Sequence, residues 1–143
     1  MKTMLVISIM ASSVLFVSRC TRQSVENKKD LDENMLDMMM YHDNLGLYLR
    51  KKNADYASWL LEGMDSSLKV ISKKFTEHRK LTDPFEKSYE KLLKPPINEI
   101  RKAIRKEDFP RAVEQYRLLT KKCNNCHADL DIDKKVVDRT SVE

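Results

Sequence analysis

The stretch "DFPRAVEQYRLLTKKCNNCHADL", residues 108–130, decides what kind of fold this chain builds. Asp108 and Pro110 are typical of a helix start, because a carboxylate caps free N–H groups and proline fits the first turn. Apolar residues and cysteines then recur in steps of three and four, which indicates one helical face: Val113, Tyr116, Leu119, Cys123 and Cys126. The stretch therefore predicts a helix that carries two cysteines one turn apart, with His127 directly after the second.

The rest of the chain carries the same helical periodicity. Apolar residues recur in steps of three and four over three further segments, residues 31–49, 57–75 and 97–104. Asn53 follows a basic cluster, so it can end the first helix and cap the second. Two glycines in the whole chain and no useful period-two alternation argue against a sheet. We therefore predict an all-α fold, a four-helix bundle of four principal helices.

The segment from Leu81 to Lys94, between the second and third principal helices, has the pattern of an elaborated crossover. Its stretch "TDPFE", residues 82–86, offers Asp83 as a helix cap, followed by a proline and by a glutamate three residues after the cap. This pattern predicts a short helix to about Leu93, which Pro95 and Pro96 are expected to break. The crossover thus adds one short extra helix before the third main helix.

Residues 1–20 have the pattern of an export signal. Lys2 precedes an apolar run from Met4 to Val17, which matches the core of a secretory signal peptide and is shorter than the roughly 20 residues that a spanning helix needs. Cys20 stands where a bacterial lipoprotein signal has its acylated cysteine, although Arg19 replaces the expected small residue. Three outcomes are open: acylation of Cys20, which would account for an odd thiol in an oxidising compartment, its removal with the leader, or its retention as a thiol without a role.

The chain after the leader is expected to form one helical domain, residues 25–131, and a frayed polar tail, residues 132–143. The net charge is +5, of which the leader contributes two charges, and acidic residues are interspersed among the basic ones. Such a pattern indicates a solvated surface, so we expect no nucleic-acid partner. No nucleophile–base pair or pair of acids has a spacing that indicates catalysis, and we do not expect an enzyme.

The motif "CNNCH", residues 123–127, is compatible with three chemistries. A zinc site needs four ligands, and the other histidines, His42 and the solvated-looking His78, are far apart and unpaired. A dithiol oxidoreductase places its cysteines at the start of a helix after a strand, whereas this motif ends a helix. A c-type haem needs two thiols one turn apart for its vinyl groups and an adjacent histidine for iron. Because bacteria attach haem c outside the inner membrane, the leader favours haem over the other two chemistries.

A leader, four helices and one CxxCH near the C-terminus resemble the cytochrome c-prime type of four-helix cytochrome. The stretches "MMMYHDNLGLYL", "DYASWLLEGM" and "KPPINEIRKAIRKEDFPRAVEQYRLLTKKCNNCH" are similar to a group of small exported bacterial haem proteins. The resemblance implies haem c bonded to Cys123 and Cys126, with His127 as the proximal iron ligand. The family's usual basic residue soon after this histidine is missing, since Ala128 and Asp129 follow.

The resemblance also implies that the first helix faces the other side of the haem. His42 occupies a seam position where Leu or Met would bury more apolar area, and a buried imidazole without a partner is costly. It binds iron, or bonds a buried acceptor, or lies exposed at a haem edge. We predict His42 as the distal iron ligand, with Met38 as the alternative, although methionines at this spacing are also typical of a core. Three aromatic residues are candidates for packing against haem or in the core: Trp59, Phe75 and Tyr116.

The expected function is electron transfer by a mono-haem cytochrome, because iron with both axial positions filled changes charge with little rearrangement. The alternative is binding or sensing of NO or CO in an apolar pocket lined by Met35, Met38 or Leu45, as the resemblance implies. A third hypothesis is a helical interaction domain that uses CNNCH without haem. The expected location is periplasmic or exported, with a membrane anchor if Cys20 is acylated. The expected partners are a redox protein and a second copy of the chain in a homodimer.

Overall fold

The computed structural model describes residues 31–74 and 80–141, with side chains from residue 34 onward, and this part of the chain is helical without strands. In chain order its helices are α1 (Leu31–Arg50), α2 (Ala54–Lys74), the short α3 (Phe85–Ser88), α4 (Lys94–Arg105) and α5 (Phe109–Asp129). A π-helical turn, Tyr89–Leu93, joins α3 to α4. The all-α prediction is confirmed. Among the described helices, none is long and apolar enough to cross a membrane.

The junction of α1 and α2 forms as the sequence predicts. Lys52 adopts a left-handed conformation, with a φ of 54°, directly after α1 ends. The Asn53 side chain then accepts a hydrogen bond from the backbone N–H of Tyr56, with 3.1 Å between Oδ1 and N. This bond satisfies one of the free N–H groups at the start of α2. The connection is short, so α1 and α2 lie side by side and pack along their length.

The crossover differs from its prediction in two details. Asp83 does not cap α3, because its carboxylate accepts a hydrogen bond from Lys87 Nζ at 2.7 Å instead. Pro95 and Pro96 do not break the helix, since the chain stays helical from residue 85 to residue 105. A proline ring clashes with the carbonyl four residues earlier, and the wider π-helical turn just before these prolines moves those carbonyls apart. The crossover and α4 therefore form one continuous arm.

A buried polar cluster fixes this arm against α2. The carboxylate of Asp65, which is 4% exposed, accepts hydrogen bonds from Tyr89 Oη at 2.6 Å, Arg101 Nη2 at 2.9 Å and Lys69 Nζ at 2.8 Å. Burial raises the pKa of Asp65, but the hydrogen bonds from Lys69 and Tyr89 outweigh it and hold the pKa below its ordinary value. The charge is paired, so the cluster orients the arm without leaving an unsatisfied buried group.

Apolar side chains from all four long helices meet in one core, which also takes in the crossover. The largest completely buried members are Leu45, Leu49, Leu61, Met64, Ile71, Tyr89, Ile97, Ile100, Tyr116 and Leu119. Apart from Tyr89, which lies in the crossover, these are seam positions of the four segments with helical periodicity. Burial of this kind supplies the main favourable free energy of folding.

The contact between α1 and α5 determines which turns of the two helices face each other. His42 of α1 lies against Thr120 of α5, with 2.8 Å between Nε2 and Oγ1. Gly46, one turn further along α1, lies against Tyr116, one turn earlier on α5. The two helices therefore run in opposite directions. The turn of α1 before His42 faces the turn of α5 after Thr120.

Residues 131–141, named here the C-terminal strap, do not extend into solvent as the sequence led us to expect. Asp131 adopts a φ of 53°, and the N–H of Ile132 donates to the His127 carbonyl at 2.8 Å, which reverses the chain after α5. The strap then runs back along α5 towards α1. Arg117 Nε donates to Asp138 Oδ2 at 3.1 Å, and Arg139 Nε donates to Asp43 Oδ2 at 2.8 Å. Side chains of other elements thus hold a segment that has little apolar patterning of its own.

Gly46→Ala should destabilise the protein because α1, α5 and the strap meet at this position. A Cβ atom there would lie 2.5 Å from Tyr116 Oη and 2.9 Å from Arg139 Cβ, and Tyr116 is fully buried. We expect a net loss of unfolding free energy, since overpacking costs about 1–3 kcal/mol and alanine regains only about 1 kcal/mol in helix propensity. Urea unfolding of both proteins measures the difference.

Gly63→Ala is the matched control for this substitution. Its Cβ would also lie 2.5 Å from an aromatic carbon, Tyr41 Cε1, but the Tyr41 ring is only partly buried and can turn away. We expect this variant to be as stable as the original protein or slightly more stable. Equal destabilisation by both substitutions would contradict the special role of the contact at Gly46.

Candidate functional site

A cavity of about 680 Å³ opens between α1, α2, α5, the crossover and the C-terminal strap. Its volume lies within the roughly 300–1,000 Å³ that is usual for sites of small molecules and cofactors. Most of the side chains around it are apolar. Besides the cysteine and histidine side chains described below, the lining includes Met35, Met38, Met39, Met64, Leu68, Leu81, Phe85, Leu93, Leu119, Leu130, Ile132 and Val136.

Both cysteines of the CNNCH motif line this cavity, on consecutive turns of α5. They are free thiols in the structure. Burial, with a smaller contribution from Cys126, raises the pKa of Cys123 to about 12, and burial also raises the pKa of Cys126. Reactive dithiols have lowered pKa values, usually at the start of a helix, whereas these thiols lie in the last two turns of one. The site therefore holds two neutral thiols and is unfavourable for dithiol redox chemistry.

His127 lines the same cavity and has one ring nitrogen engaged. Its Nδ1 lies 2.6 Å from the backbone carbonyl oxygen of Lys134 in the strap. A carbonyl can only accept, so Nδ1 carries the proton and donates it. In the neutral ring Nε2 is then unprotonated and able to bind a metal. A metal-ligating histidine usually has its second nitrogen bonded in this way, to a carbonyl or a carboxylate.

The CNNCH side chains do not converge on one point. Within residues 34–74 and 80–141, no group of three or more His, Cys, Asp or Glu side chains is placed so that it could hold a metal ion. The two cysteines and His127 line the cavity without forming such a group. A tetrahedral zinc site requires four convergent ligands, so this arrangement does not fit zinc.

The wall contributed by α1 lies opposite these residues. Met35, Met38, Met39 and His42 line the cavity, as the antiparallel contact with α5 requires. Met38 is 8% exposed, whereas Met40 is 60% exposed on the other side of the helix. The three consecutive methionines therefore divide between the cavity and solvent. Leu45, which the sequence suggested for a distal pocket, is buried in the core and is not part of the cavity lining.

His42 is buried and has a hydrogen-bond partner for each ring nitrogen. Thr120 Oγ1 donates its proton to the Tyr116 carbonyl at 2.9 Å, so it accepts from His42 Nε2 at 2.8 Å. The Tyr116 hydroxyl lies 3.1 Å from Nδ1 and stacks its ring on the imidazole, with 4.5 Å between ring centroids. Burial lowers the pKa of His42 and so favours the neutral ring. The neighbouring Asp43 has the opposite effect on this pKa, but burial outweighs it. Of the three expected situations, the structure has the histidine bonded to a buried acceptor.

The aromatic residues proposed for packing against haem lie elsewhere. Trp59 is 64% exposed and contacts the edge of Tyr41, away from the cavity lining. Tyr116 is fully buried beneath His42 and serves the core. Trp59 therefore fits neither the haem-packing nor the core interpretation, whereas Tyr116 fits the core interpretation. Three further predictions, on Cys20, Phe75 and His78, concern positions outside the described residues.

Sequence reasoning missed the crossover and the strap as parts of the site. Leu81, Phe85 and Leu93 close one side of the cavity, and their apolar character between two principal helices was a usable signal. The strap contributes Lys134 and Lys135, so basic residues reach the cavity after all, by a chain reversal that no pattern in the sequence indicates. The reversal depends on hydrogen bonds to α5 and α1, which are tertiary contacts.

Comparison of the chain with family models, with curated proteins and with solved structures found no match in any of the three.

The reactivity of the two thiols should follow their pKa values in the haem-free chain. Near neutral pH we expect iodoacetamide to modify Cys123 much more slowly than Cys126, because burial leaves less thiolate at Cys123. Peptide mass spectrometry at timed intervals measures the rate at each site. In urea the two rates should become similar, and rapid modification of folded Cys123 would show that its thiol is not buried as described.

Proposed function

We propose that this protein is an exported mono-haem c-type cytochrome that transfers electrons, built as a four-helix bundle with an extra short helix in the crossover. One observation carries the proposal: both thiols of CNNCH and His127 line a single, mostly apolar cavity of about 680 Å³. Cys123 and Cys126 would hold haem c covalently, and His127 would be the proximal ligand of its iron. A four-helix bundle is the arrangement that four helices with one apolar seam each most readily form.

The state of the thiols suits covalent attachment. Each neutral thiol can add across a vinyl group, the sulfur bonding to one carbon and the hydrogen to the other, so no oxidant is consumed. Cys123 and Cys126 lie one helical turn apart, and they form no disulfide with each other. The burial that raises the pKa of both thiols also keeps them protonated until they react.

The surroundings of His127 suit axial ligation of iron. The bond from Nδ1 to the Lys134 carbonyl orients the ring, selects the tautomer with a free Nε2 and raises the basicity of that nitrogen. When bound, haem supplies a one-electron couple between ferric and ferrous iron. The chain's part is to exclude water with apolar walls and to keep the ligands in place as the charge changes. Buried core residues of α1, α2 and α5, the helices that line the cavity, would provide that rigidity.

The second axial ligand is better supplied by Met38 than by His42. Met38 lies one turn before His42, on the turn of α1 that faces the cysteine turns of α5. Its thioether sulfur is a weak acceptor that needs no hydrogen bond, so no bond would have to break for it to bind iron. His42 Nε2 already donates to Thr120, so ligation would require it to break this buried bond and change tautomer. Ligation by His42 stays the prediction drawn from the sequence. A Met/His pair would give a higher reduction potential than two histidines.

Gas binding is the second candidate function, and one observation favours it. Because His42 is held by Thr120 and Tyr116, the wall of α1 offers iron only methionine sulfur and apolar surface. If Met38 does not bind iron, that side of the haem would be an apolar pocket with an open coordination position for NO or CO. The two functions differ in a single bond, between iron and Met38.

The proposed location is the periplasm or another compartment outside the inner membrane. The leader, residues 1–20, lies outside the described part of the chain, so export and acylation of Cys20 rest on the sequence pattern. A diacylglyceryl group on Cys20 would provide two chains, enough for stable attachment to a membrane. The proposed partners are a redox protein and a second copy of the chain.

Covalent haem should require both cysteines of the motif. We expect the intact gene, expressed with a cytochrome c maturation system, to give a haem-stained band on a denaturing gel. Cys123→Ser and Cys126→Ser should each lose most of the stain, because each removes one thioether. His127→Ala should disturb incorporation and iron coordination without unfolding α1 and α2.

The matched control for haem attachment is Cys20→Ser, which should keep the stain, since this cysteine lies outside the motif. A colourless band of the right mass from the original gene would contradict the proposal. The mass of the stained protein also locates its mature N-terminus: a chain that begins after Cys20 would exclude the lipid anchor.

Met38→Ala and His42→Ala should separate the axial ligands in the haem-loaded protein. We expect a methionine-to-iron charge-transfer band in the ferric protein, lost in Met38→Ala and kept in His42→Ala. Met40→Ala, at a residue that is 60% exposed and outside the cavity lining, is the control and should keep the band. Electron paramagnetic resonance provides the second measurement: a low-spin signal lost only in His42→Ala would restore the bis-histidine prediction. A native high-spin iron that binds CO readily would favour gas binding.

A further inference from the structure

The C-terminal strap forms one wall of the candidate haem cavity. Five consecutive strap residues contribute to the lining: Ile132, Asp133, Lys134, Lys135 and Val136. The proposed function uses this segment only through the Lys134 carbonyl. What holds that carbonyl in place is a separate question, because residues 133–138 form no helix or strand that would fix their backbone.

Asn124, the first residue between the two cysteines, anchors the strap. Its Nδ2 donates to the Val136 carbonyl at 2.9 Å, and its Oδ1 accepts from the Val136 N–H at 2.8 Å. Both polar groups of the side chain are therefore paired with both backbone groups of one residue. This pairing also assigns the orientation of the amide, since the reverse orientation would place two donors and two acceptors together.

The two contacts between the motif and the strap lie close together on both sides. Asn124 and His127 are three residues apart on α5 and share a face of the helix. Their partners, Val136 and Lys134, are two residues apart on the strap. A fixed backbone at Val136 therefore limits how far the Lys134 carbonyl, two residues earlier, can move.

We infer that Asn124 is a positioning residue for the axial histidine. It acts through the strap: it holds the Lys134 carbonyl against His127 Nδ1, so that the ring keeps its proton there and presents Nε2 to the iron. The inference rests on the proposed function for its purpose, but the contacts themselves exist without haem. Asn125, the other residue between the cysteines, is exposed and takes no part in this arrangement.

Two variants break the same anchor from opposite sides. Asn124→Leu removes both hydrogen bonds and leaves a side chain of similar volume. Val136→Pro removes the backbone N–H that donates to Asn124 Oδ1. Position 136 lies outside every described helix, so a proline there breaks none of them. Asn125→Leu is the matched control. Circular dichroism should show that all three keep the helical content of the original chain.

The first measurement uses the haem-free full chain. Nitrogen-detected NMR of the His127 ring should show the Nδ1-protonated tautomer in the original protein and in Asn125→Leu. Asn124→Leu and Val136→Pro should each give a mixture of tautomers, because the ring loses its fixed acceptor. If the ring keeps the Nδ1-protonated form in both variants, the role of Asn124 is overturned.

The second measurement uses the haem-loaded protein. Loss of the anchor should weaken donation from His127 and raise the reduction potential, because a less basic ring stabilises ferric iron less. A tenfold loss of preference for ferric iron corresponds to a rise of about 59 mV for a one-electron couple. An unchanged potential in both variants would also overturn the inference. A chain that takes up no haem at all overturns the proposed function instead, and the spectra of the haem-free chain still decide the role of Asn124.

Discussion

The hydrogen bond between His42 Nε2 and Thr120 Oγ1 sets the register on which the rest of this structure depends. The bond joins two buried side chains that are 78 residues apart in sequence. The Tyr116 ring stacks on the imidazole beside this bond. A buried imidazole without partners is costly, so α1 and α5 have one favourable alignment at this point. That alignment brings the methionine turn of α1 opposite the cysteine turns of α5. The cavity between them is a consequence of this register.

Close packing around that contact explains several features that look unrelated along the chain. Gly46 leaves room for the Tyr116 hydroxyl and for Arg139 of the strap, which reaches α1 to pair with Asp43. The strap can lie there because the chain reverses at Asp131, which adopts a left-handed conformation although it is not a glycine. Side chains of α1 and α5 therefore hold the C-terminal segment over one side of the cavity. The site is closed by polar contacts on its strap side and by apolar packing on the others.

Burial favours the neutral forms of three titratable side chains that line the cavity, Cys123, Cys126 and His42. Burial raises the pKa of Cys123 and Cys126 and lowers that of His42, so the thiols stay protonated and this imidazole stays uncharged. A mostly apolar space of this kind is unsuited to an isolated metal ion, which prefers convergent charged ligands. The charged groups that enter the core belong to the Asp65 cluster on the arm formed by the crossover and α4, where they are paired. The residues of this cluster do not line the cavity, whereas Asp133, Lys134 and Lys135 of the strap do.

The sequence by itself determined the helical class, the four long helices, the junction at Asn53 and the start of α5 at Asp108. These features depend on local periodicity and on capping side chains that act within a few residues. Only the tertiary structure decided that Pro95 and Pro96 continue a helix, because a π-helical turn before them accommodates their rings. It also decided that His42 bonds Thr120, that Trp59 faces solvent and that the strap covers the cavity. Each of these depends on contacts between residues far apart in the chain, and periodicity carries no information about which distant partners will meet.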